Sequence, residues 1–281
     1  MTRIGIVGIG AIARMHALAI ADIADAELMG GCCRTQEKGE RFVEQFGGRW
    51  YPTAEALMDA EQPDVVTICT PSGAHLEPTL AAAQRGIHVL CEKPLEINLE
   101  RAAQMIAATD EAKVALGGIF PQRFNPVVAA VHEAAQAGRF GNLAMVVAYV
   151  PWWRDDDYYA AGRWQGTQAL DGGGALINQS IHALDAMQWI ASAAGAGPVA
   201  EIYGYTAQRG HDPDLIEVED TAVASLRFTN GALGAIVAST AMWPGGAQRF
   251  HVSGRGGTAE VHEQELFTWR FREETSEDEA I

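Results

Sequence analysis

Three stretches of the 281-residue chain carry residues whose types and spacing suit chemistry. The first is Gly86-Ile87-His88-Val89-Leu90-Cys91-Glu92-Lys93-Pro94-Leu95. Ile87 to Cys91 reads as a buried strand that hands over directly to a Glu, a Lys and a Pro. In an open α/β sheet ligands sit beyond the carboxyl ends of the strands, so an ammonium placed there is at the ligand crevice. Pro94 has no N–H and a fixed φ, which ends the strand and holds Lys93 in one place. An isolated Lys-Pro is ordinarily a solvated surface feature; the rest of the chain changes that reading.

The second stretch runs from Gly172-Gly173-Gly174 to Asp185. Three glycines allow a backbone to come close to a ligand before a helix begins. Asn178 and His182 stand at i and i+4, the spacing of one helix face, with Asp185 a further turn along. Leu176, Ile177, Ile181, Leu184 and Met187 supply the apolar side. A histidine titrates near neutral pH and suits general-base work, although an isolated one is ordinarily a hydrogen-bonded core residue. The third stretch is Gly8-Ile9-Gly10-Ala11-Ile12-Ala13, a G-x-G-x-x-A fingerprint. Gly8 allows a tight turn, Gly10 lets the backbone approach a pyrophosphate, and Ala13 lets the helix lie close on the strand. The helix N-terminus attracts the phosphates.

The elements that must position these residues follow from periodicity. Arg3 to Val7, Glu27 to Cys33, Tyr51, Asp64 to Thr70, 87–91 and Val114 to Gly118 read as strands. Helices are expected to Ala21 and at Gln36 to Phe46, from Thr53, at His75 to Arg85 and at Leu99 to Glu111. Ser72 or Gly73 is a candidate cap for the fourth helix. This alternation means βαβ units and a parallel sheet. From Phe120 the style changes. A helix at Val127 to Ala137 precedes strands at Leu143–Val150, Val199–Thr206, Ile216–Phe228, Ala232–Thr240, Ala247–Ser253 and Thr258–Val261, which fit an antiparallel sheet with one covered face. The expected class is α/β: a parallel-sheet domain, 1–119, then an α+β domain with a mostly antiparallel sheet, 120–281.

Composition bounds the partners. The formal charge is 20 − 36 = −16, which argues against nucleic acid and anionic membrane and obliges any anionic substrate to find a local basic pocket. Cys32, Cys33, Cys69 and Cys91 lie in apolar runs without metal-ligand spacing, so they read as buried thiols of a cytoplasmic protein, and no metal is expected. No segment has the length of a membrane helix. Met1 to Ala21 contains Gly5, Gly8, Gly10, Arg14 and His16, which favours strand–turn–helix over a signal peptide. The acidic end, 273–281, reads as frayed.

The ordered set of Gly8-x-Gly10-x-x-Ala13, Thr70-Pro71, Glu92-Lys93-Pro94, Arg123-Phe124-Asn125-Pro126, Trp164-x-Gly166 and the Gly172-Gly173-Gly174 helix with His182 resembles the glucose–fructose oxidoreductase / inositol dehydrogenase (Gfo/Idh/MocA) family over nearly the whole chain. The resemblance implies that the first domain is a Rossmann domain and that the second sheet is large and open. It implies further that Lys93 is the catalytic lysine and His182 the catalytic histidine. Asn178 stands where many members carry an acid, as it does in some sugar-oxidising members. It also implies cofactor contacts from Gly8, Gly10, Ala11, Ile12, Ala13, Cys33, Arg34, Thr35, Thr70, Pro71, His75, Glu92 and Lys93. The expected reaction is hydride transfer between a nicotinamide cofactor and a hydroxyl-bearing carbon of a sugar, cyclitol or related polyol. His182 would act as base, Lys93 would stabilise the alkoxide, and Tyr158, Tyr159, Arg163 and Asp171 are candidate sugar contacts. The alternatives are a redox-neutral NAD-dependent glycosidase and a catalytically silent nucleotide sensor; the presence of both Lys93 and His182 weighs against the second only. The chain is shorter at its C-terminus than most of the family, and Gln165 stands where Arg is common.

Two expectations rest on local chemistry. The second strand ends Gly31-Cys32-Cys33-Arg34-Thr35, with no acid for the ribose 2′-OH, so NADP is expected ahead of NAD, with Arg34 and Thr35 on the 2′-phosphate. Ala232-Leu233-Gly234-Ala235-Ile236-Val237-Ala238 has too few charges for a solvated strand, so a homodimer or homotetramer is expected through the outer face of the second sheet.

Overall fold

The computed structural model describes residues 1–160, 162–276 and 278. The chain divides into two compact units, Met1–Ile119 with Ala169–Gly172, and Phe120–Gln168 with Gly173–Ile281. The return of four residues to the first unit has local causes. The Gly73 N–H donates to the Leu170 carbonyl at 2.8 Å, and Gly172 lies so close to Ile97 that a Cβ there would meet its side chain at 2.3 Å.

The first unit alternates strand and helix: β1 (Thr2–Val7), α1 (Ala11–Ala21), β2 (Ala26–Cys32), α2 (Gln36–Phe46), β3 (Arg49–Tyr51), α3 (Ala54–Glu61), β4 (Val65–Ile68), α4 (Leu76–Ala83), β5 (His88–Cys91), α5 (Leu99–Ala112) and β6 (Leu116–Gly118). All pairs are parallel, in the order β3-β2-β1-β4-β5-β6. The order reverses between β1 and β4, the switch point beside which doubly wound sheets take their ligands. Ile6, Val66, Ile68, Val89 and Cys91 are buried between the helical layers, as a parallel sheet requires. Burial pushes the Cys32 thiol up to about 11 and the Cys69 thiol up to about 12, and raises that of Cys91 as well. Cys33 departs from the expected burial: it is half-exposed, and its Sγ donates to the Thr35 carbonyl at 3.1 Å. Neither Ser72 nor Gly73 caps α4; Ser72–Ala74 form a 3-10 turn and no side chain caps the helix.

The second unit contains α6 (Pro126–Gln136), β7 (Leu143–Pro151), α7 (Ile181–Ala193), β8 (Val199–Ala207), β9 (Thr221–Phe228), β10 (Leu233–Ser239), β11 (Arg249–Gly254), β12 (Gly257–His262) and β13 (Glu265–Phe271). The sheet order is β13-β12-β11-β7-β10-β9-β8, antiparallel except for β7 with β10. Helices α6 and α7 bury one face, where Val131, Val146, Ile190, Phe228, Phe250 and Val261 form the core.

Several sequence expectations change here. Of the apolar side expected for this segment, Met187 is buried and Leu176 and Leu184 pack partly buried on the core, while the other buried positions of α7 are Ala183, Ala186, Ile190 and Ala191. Residues 216–220 are a loop, because the Glu219 and Asp220 carboxylates are committed to backbone N–H groups. Strand β13 was not anticipated: a register shift at Glu260/Val261 hides the alternation that places Leu266, Trp269 and Phe271 on the core. The acidic end is fastened at Asp278. Its carboxylate accepts two Arg139 N–H groups at 2.6 and 2.7 Å and the Trp269 indole N–H at 2.7 Å. Arg139, then the Thr275 N–H, hold that carboxyl well below the usual range. Glu277, Glu279, Ala280 and Ile281 lie outside the described residues. No helix among the described residues is long and apolar enough to cross a membrane.

Candidate functional site

In the first unit the site begins where β1 ends. Gly8 has φ +92°, and a Cβ there would lie 2.7 Å from the Thr70 nitrogen, so the turn accepts only glycine. Helix α1 starts at Ala11 with no side-chain cap on its first N–H groups, an arrangement that suits a phosphate. Ala13 is fully buried. The turn and the uncapped helix start leave a backbone cradle of the kind that suits a pyrophosphate, so the residues fit a dinucleotide. At the exit of β2, Arg34 is exposed and forms no ion pair among the described residues, while Thr35 precedes α2 without capping it. The one acid of β2, Glu27, pairs in register with Arg3 at the opposite end of the strand.

The Glu92-Lys93-Pro94 turn is braced from two helices. Glu92 is buried, and its Oε1 hydrogen-bonds His16 Nε2 of α1 at 2.9 Å, while Oε2 accepts the Lys93 N–H at 3.1 Å. The other His16 nitrogen meets the Thr67 hydroxyl of β4 at 2.6 Å. Burial pushes the Glu92 carboxyl up, but His16 and the Lys93 N–H and charge outweigh it, leaving the group below its ordinary value. His75, only 1% exposed, joins the exits of β4 and β5: its ring nitrogens meet the Thr70, Pro94 and Leu95 carbonyls at 3.0, 2.9 and 3.2 Å. The Thr70 hydroxyl donates to Ala74 O at 2.9 Å. His75 and Glu92 thus have internal partners around Lys93. His16, which sequence reading missed as a site residue, was signalled only by a histidine on a largely apolar helix.

In the second unit Gly173-Gly174 lead into Ala175–Gln179, a π-helical turn, and α7 begins only at Ile181. The cause is Glu219. Its carboxylate accepts the Gly174 and Leu176 N–H groups at 3.0 and 2.9 Å, its carbonyl accepts Ala175 N–H at 2.9 Å, and a Cβ on Gly174 would fall 1.8 Å from that carbonyl oxygen. The close approach that Gly174 permits is thus to the protein's own backbone. Asn178 and His182 do not share one continuous α-helix, so the regular i,i+4 face does not extend across Ser180. Asn178 is 7% exposed in the π turn; His182 opens α7, half-buried, with the Phe120 ring edge-on at 6.3 Å. Asp185 is taken by Arg123 in a two-point ion pair of 2.8 and 2.6 Å. That guanidinium lies over Phe120 at 5.9 Å and Trp189 at 5.5 Å, so it steadies the ring beside His182.

Of the expected sugar contacts, Tyr159 is buried with its hydroxyl on Thr240 Oγ1 at 3.2 Å, Arg163 is exposed, and Asp171 is buried in the segment that belongs to the first unit. Tyr158 accepts a hydrogen bond from Gln179 Nε2 at 2.8 Å. A fully buried pair, His211 and Asp220, was not foreseen. His211 Nδ1 lies 3.1 Å from Asp220 Oδ2, and the same carboxylate accepts the Arg209, Gly210 and His211 N–H groups and the Thr221 hydroxyl. Among the described residues no group of three or more His, Cys, Asp or Glu is arranged to hold a metal.

Comparison with known proteins places this geometry. Residues 2–119 match the profile of an oxidoreductase family with an NAD-binding Rossmann fold, and residues 128–260 match the GFO/IDH/MocA C-terminal domain. The chain is 28% identical over 250 residues to D-glucoside 3-dehydrogenase of Escherichia coli K12, covering 82% of this chain and 68% of that protein. It is 29% identical to myo-inositol 2-dehydrogenase of Thermotoga maritima over 91% of this chain and 73% of that one. Another curated relative is matched over 53% of its length. Among solved structures, the WlbA dehydrogenase from Bordetella pertussis, in complex with NADH and UDP-GlcNAcA, superposes with a TM-score of 0.92 at 34% identity, covering 99% of this chain and 84% of that one.

Proposed function

Because the chain belongs to the GFO/IDH/MocA oxidoreductase family, we propose that it transfers a hydride between a nicotinamide dinucleotide and a hydroxyl-bearing carbon of a sugar, cyclitol or related polyol. The observation that carries this is the braced Lys93 at the exit of β5, in the same sheet whose switch point holds the glycine cradle at the exit of β1. The bound nicotinamide would accept or return the hydride; the rest of the chemistry falls to the chain. His182 takes the hydroxyl proton as general base. The Lys93 ammonium stabilises the alkoxide that develops. Asn178 hydrogen-bonds a substrate hydroxyl without adding charge. Gly8, Gly10, Ala11, Ile12 and Ala13 hold the pyrophosphate, Cys33, Arg34 and Thr35 the ribose end, and Thr70 and Pro71 border the site. His75 and Glu92 act beside them by holding the Lys93 turn. Incubation with sugars and polyols, with either nicotinamide cofactor, tests the reading through the rise in reduced-nicotinamide absorbance. Glycoside cleavage with no net absorbance change would overturn it.

The cofactor in this reading is NADP. No carboxylate at the β2 exit repels a 2′-phosphate, and the Arg34 guanidinium, without an ion pair among the described residues, and the Thr35 hydroxyl suit one. Arg34→Ala is expected to raise KM for NADP about tenfold or more, leaving NAD kinetics in place. A wild-type kcat/KM for NAD equal to or above that for NADP defeats the assignment, and the related complex that holds NADH makes this measurement decisive.

The second sheet is proposed to pair with another copy of the chain. Half of the apolar run at 232–238 is already covered, since Gly234, Ile236 and Ala238 face the helices. The outer face keeps Leu233, Val223, Tyr203 and Tyr205 exposed, the two tyrosines at 65% and 67%, an apolar area that a monomer rarely leaves open. Light scattering at micromolar concentration is expected to give at least a dimer mass; a monomer would end the idea. The three buried thiols suit a cytoplasmic location.

A further inference from the structure

A chain with formal charge −16 needs a dedicated cation to hold an anionic substrate. In the second unit Arg123 is neutralised by Asp185 and Arg139 by Asp278. Arg154 is different. It is half-buried, three aspartates follow it directly at 155–157, and yet it forms no ion pair among the described residues. Its guanidinium donates to the Trp153 carbonyl at 3.2 Å and to Gln179 Oε1 at 2.8 Å, and lies over the Trp152 ring at 5.1 Å and the Tyr158 ring at 5.4 Å. Two of its N–H groups are used in this way, and the others have no acceptor among the described residues. A guanidinium with N–H groups to spare matches a planar carboxylate in a two-point hydrogen bond.

The position is built. The Arg154 N–H donates to Thr240 O at 2.9 Å, and its carbonyl meets His211 Nε2 at 2.8 Å. His211 is fully buried and anchored on Asp220. On the other side, Gln179 joins the guanidinium to the Tyr158 hydroxyl and is the chain neighbour of Asn178, on the turn that leads to His182. A costly, half-desolvated cation is thus held rigidly at the turn assigned above to substrate binding.

We infer that Arg154 is a specificity-determining residue that takes a carboxylate carried by the sugar, so that the substrate is an acidic sugar. This rests on the hydride-transfer reading of the same site. Phosphate offers the same anionic oxygens, but the planar fork of the guanidinium matches the planar carboxylate in both bonds at once. The probes are UDP-GlcNAcA against UDP-GlcNAc, glucuronate against glucose, and glucose 6-phosphate. They are used in turnover assays and in calorimetric titration of the cofactor-loaded enzyme. Wild type is expected to prefer at least one of the two carboxylated probes to its neutral partner. Arg154→Gln is expected to lower kcat/KM and affinity for that probe about 100-fold, change the neutral partner less than about threefold, and be partly rescued by Arg154→Lys. Equal loss for acid and neutral sugar would reduce Arg154 to loop structure and overturn the inference. So would a wild type that binds no carboxylated probe better than its neutral partner, or one that prefers glucose 6-phosphate to both acids. If no sugar is turned over, the hydride-transfer reading fails, while the titration still decides whether Arg154 selects a carboxylate.

Discussion

Lys93→Ala and His182→Ala are each expected to lower kcat by about 10²–10⁴ while leaving dinucleotide binding in place. The Lys93 turn is held by the Glu92 carboxylate and by His75, contacts that do not involve the lysine ammonium, so truncation removes the charge while they remain. His182 opens α7 with its neighbours Ala183 and Ala186 carrying the packing, so an alanine there is cheap for the helix. Fluorescence titration with the reduced cofactor separates binding from chemistry. A variant that keeps near-wild-type kcat takes the catalytic role away from that residue. The split between kcat and KM is informative too: a group used only as charge develops lowers kcat and kcat/KM together.

Asp220→Ala is expected to destabilise the second unit by about 3–5 kcal/mol, because the fully buried carboxylate is the shared acceptor for three backbone N–H groups, a hydroxyl and the His211 ring. Burial pushes the Asp220 carboxyl up, but the Gly210 and Arg209 N–H groups, His211 and Thr221 more than offset it and leave it below its ordinary value. A carboxyl depressed in the folded state stabilises fully above its unfolded value, about 4, and that contribution is lost as pH falls through the lower folded value. Wild-type stability is therefore expected to fall as the solution is acidified below about pH 4, with Asp220→Ala showing a shallower decline there. Denaturant unfolding across pH measures both, and a midpoint within error of wild type at neutral pH would show that the carboxylate is dispensable. The same variant unseats the Arg154 backbone, so it should also blunt selection for an acidic sugar.

Much of the first unit was legible because parallel βαβ units advertise themselves locally. Apolar runs of strand length, a glycine turn and helical spacing recur in order, and each strand exit can be read from where the run stops. Lys93 was found by its place at such an exit, and Gly8 by the turn that only glycine makes. What surrounds them was not legible. His16 and His75 lie 77 and 18 residues before Lys93 in the chain, counted from their positions, and their bonds to Glu92, Pro94 and Leu95 exist only once the helices are packed on the sheet. No local pattern announces a partner that distant.

In the second unit the amino-acid sequence by itself determined which face of the sheet is apolar, since side chains alternate with period two along any strand. It also determined that a histidine follows a glycine run. Tertiary structure decided what the glycines are for. Glu219, 45 residues beyond Gly174, presses its carbonyl and carboxylate onto that segment, where Ala175–Gln179 widen into a π turn, so Asn178 lies outside the regular helix that carries His182. It likewise decided that Arg154, one of 20 basic residues, lies over the Trp152 and Tyr158 rings with its backbone carbonyl on a buried His–Asp pair. Periodicity is a property of neighbours along the chain; the partner of a charge or of a close backbone approach is a property of what folding brings beside it.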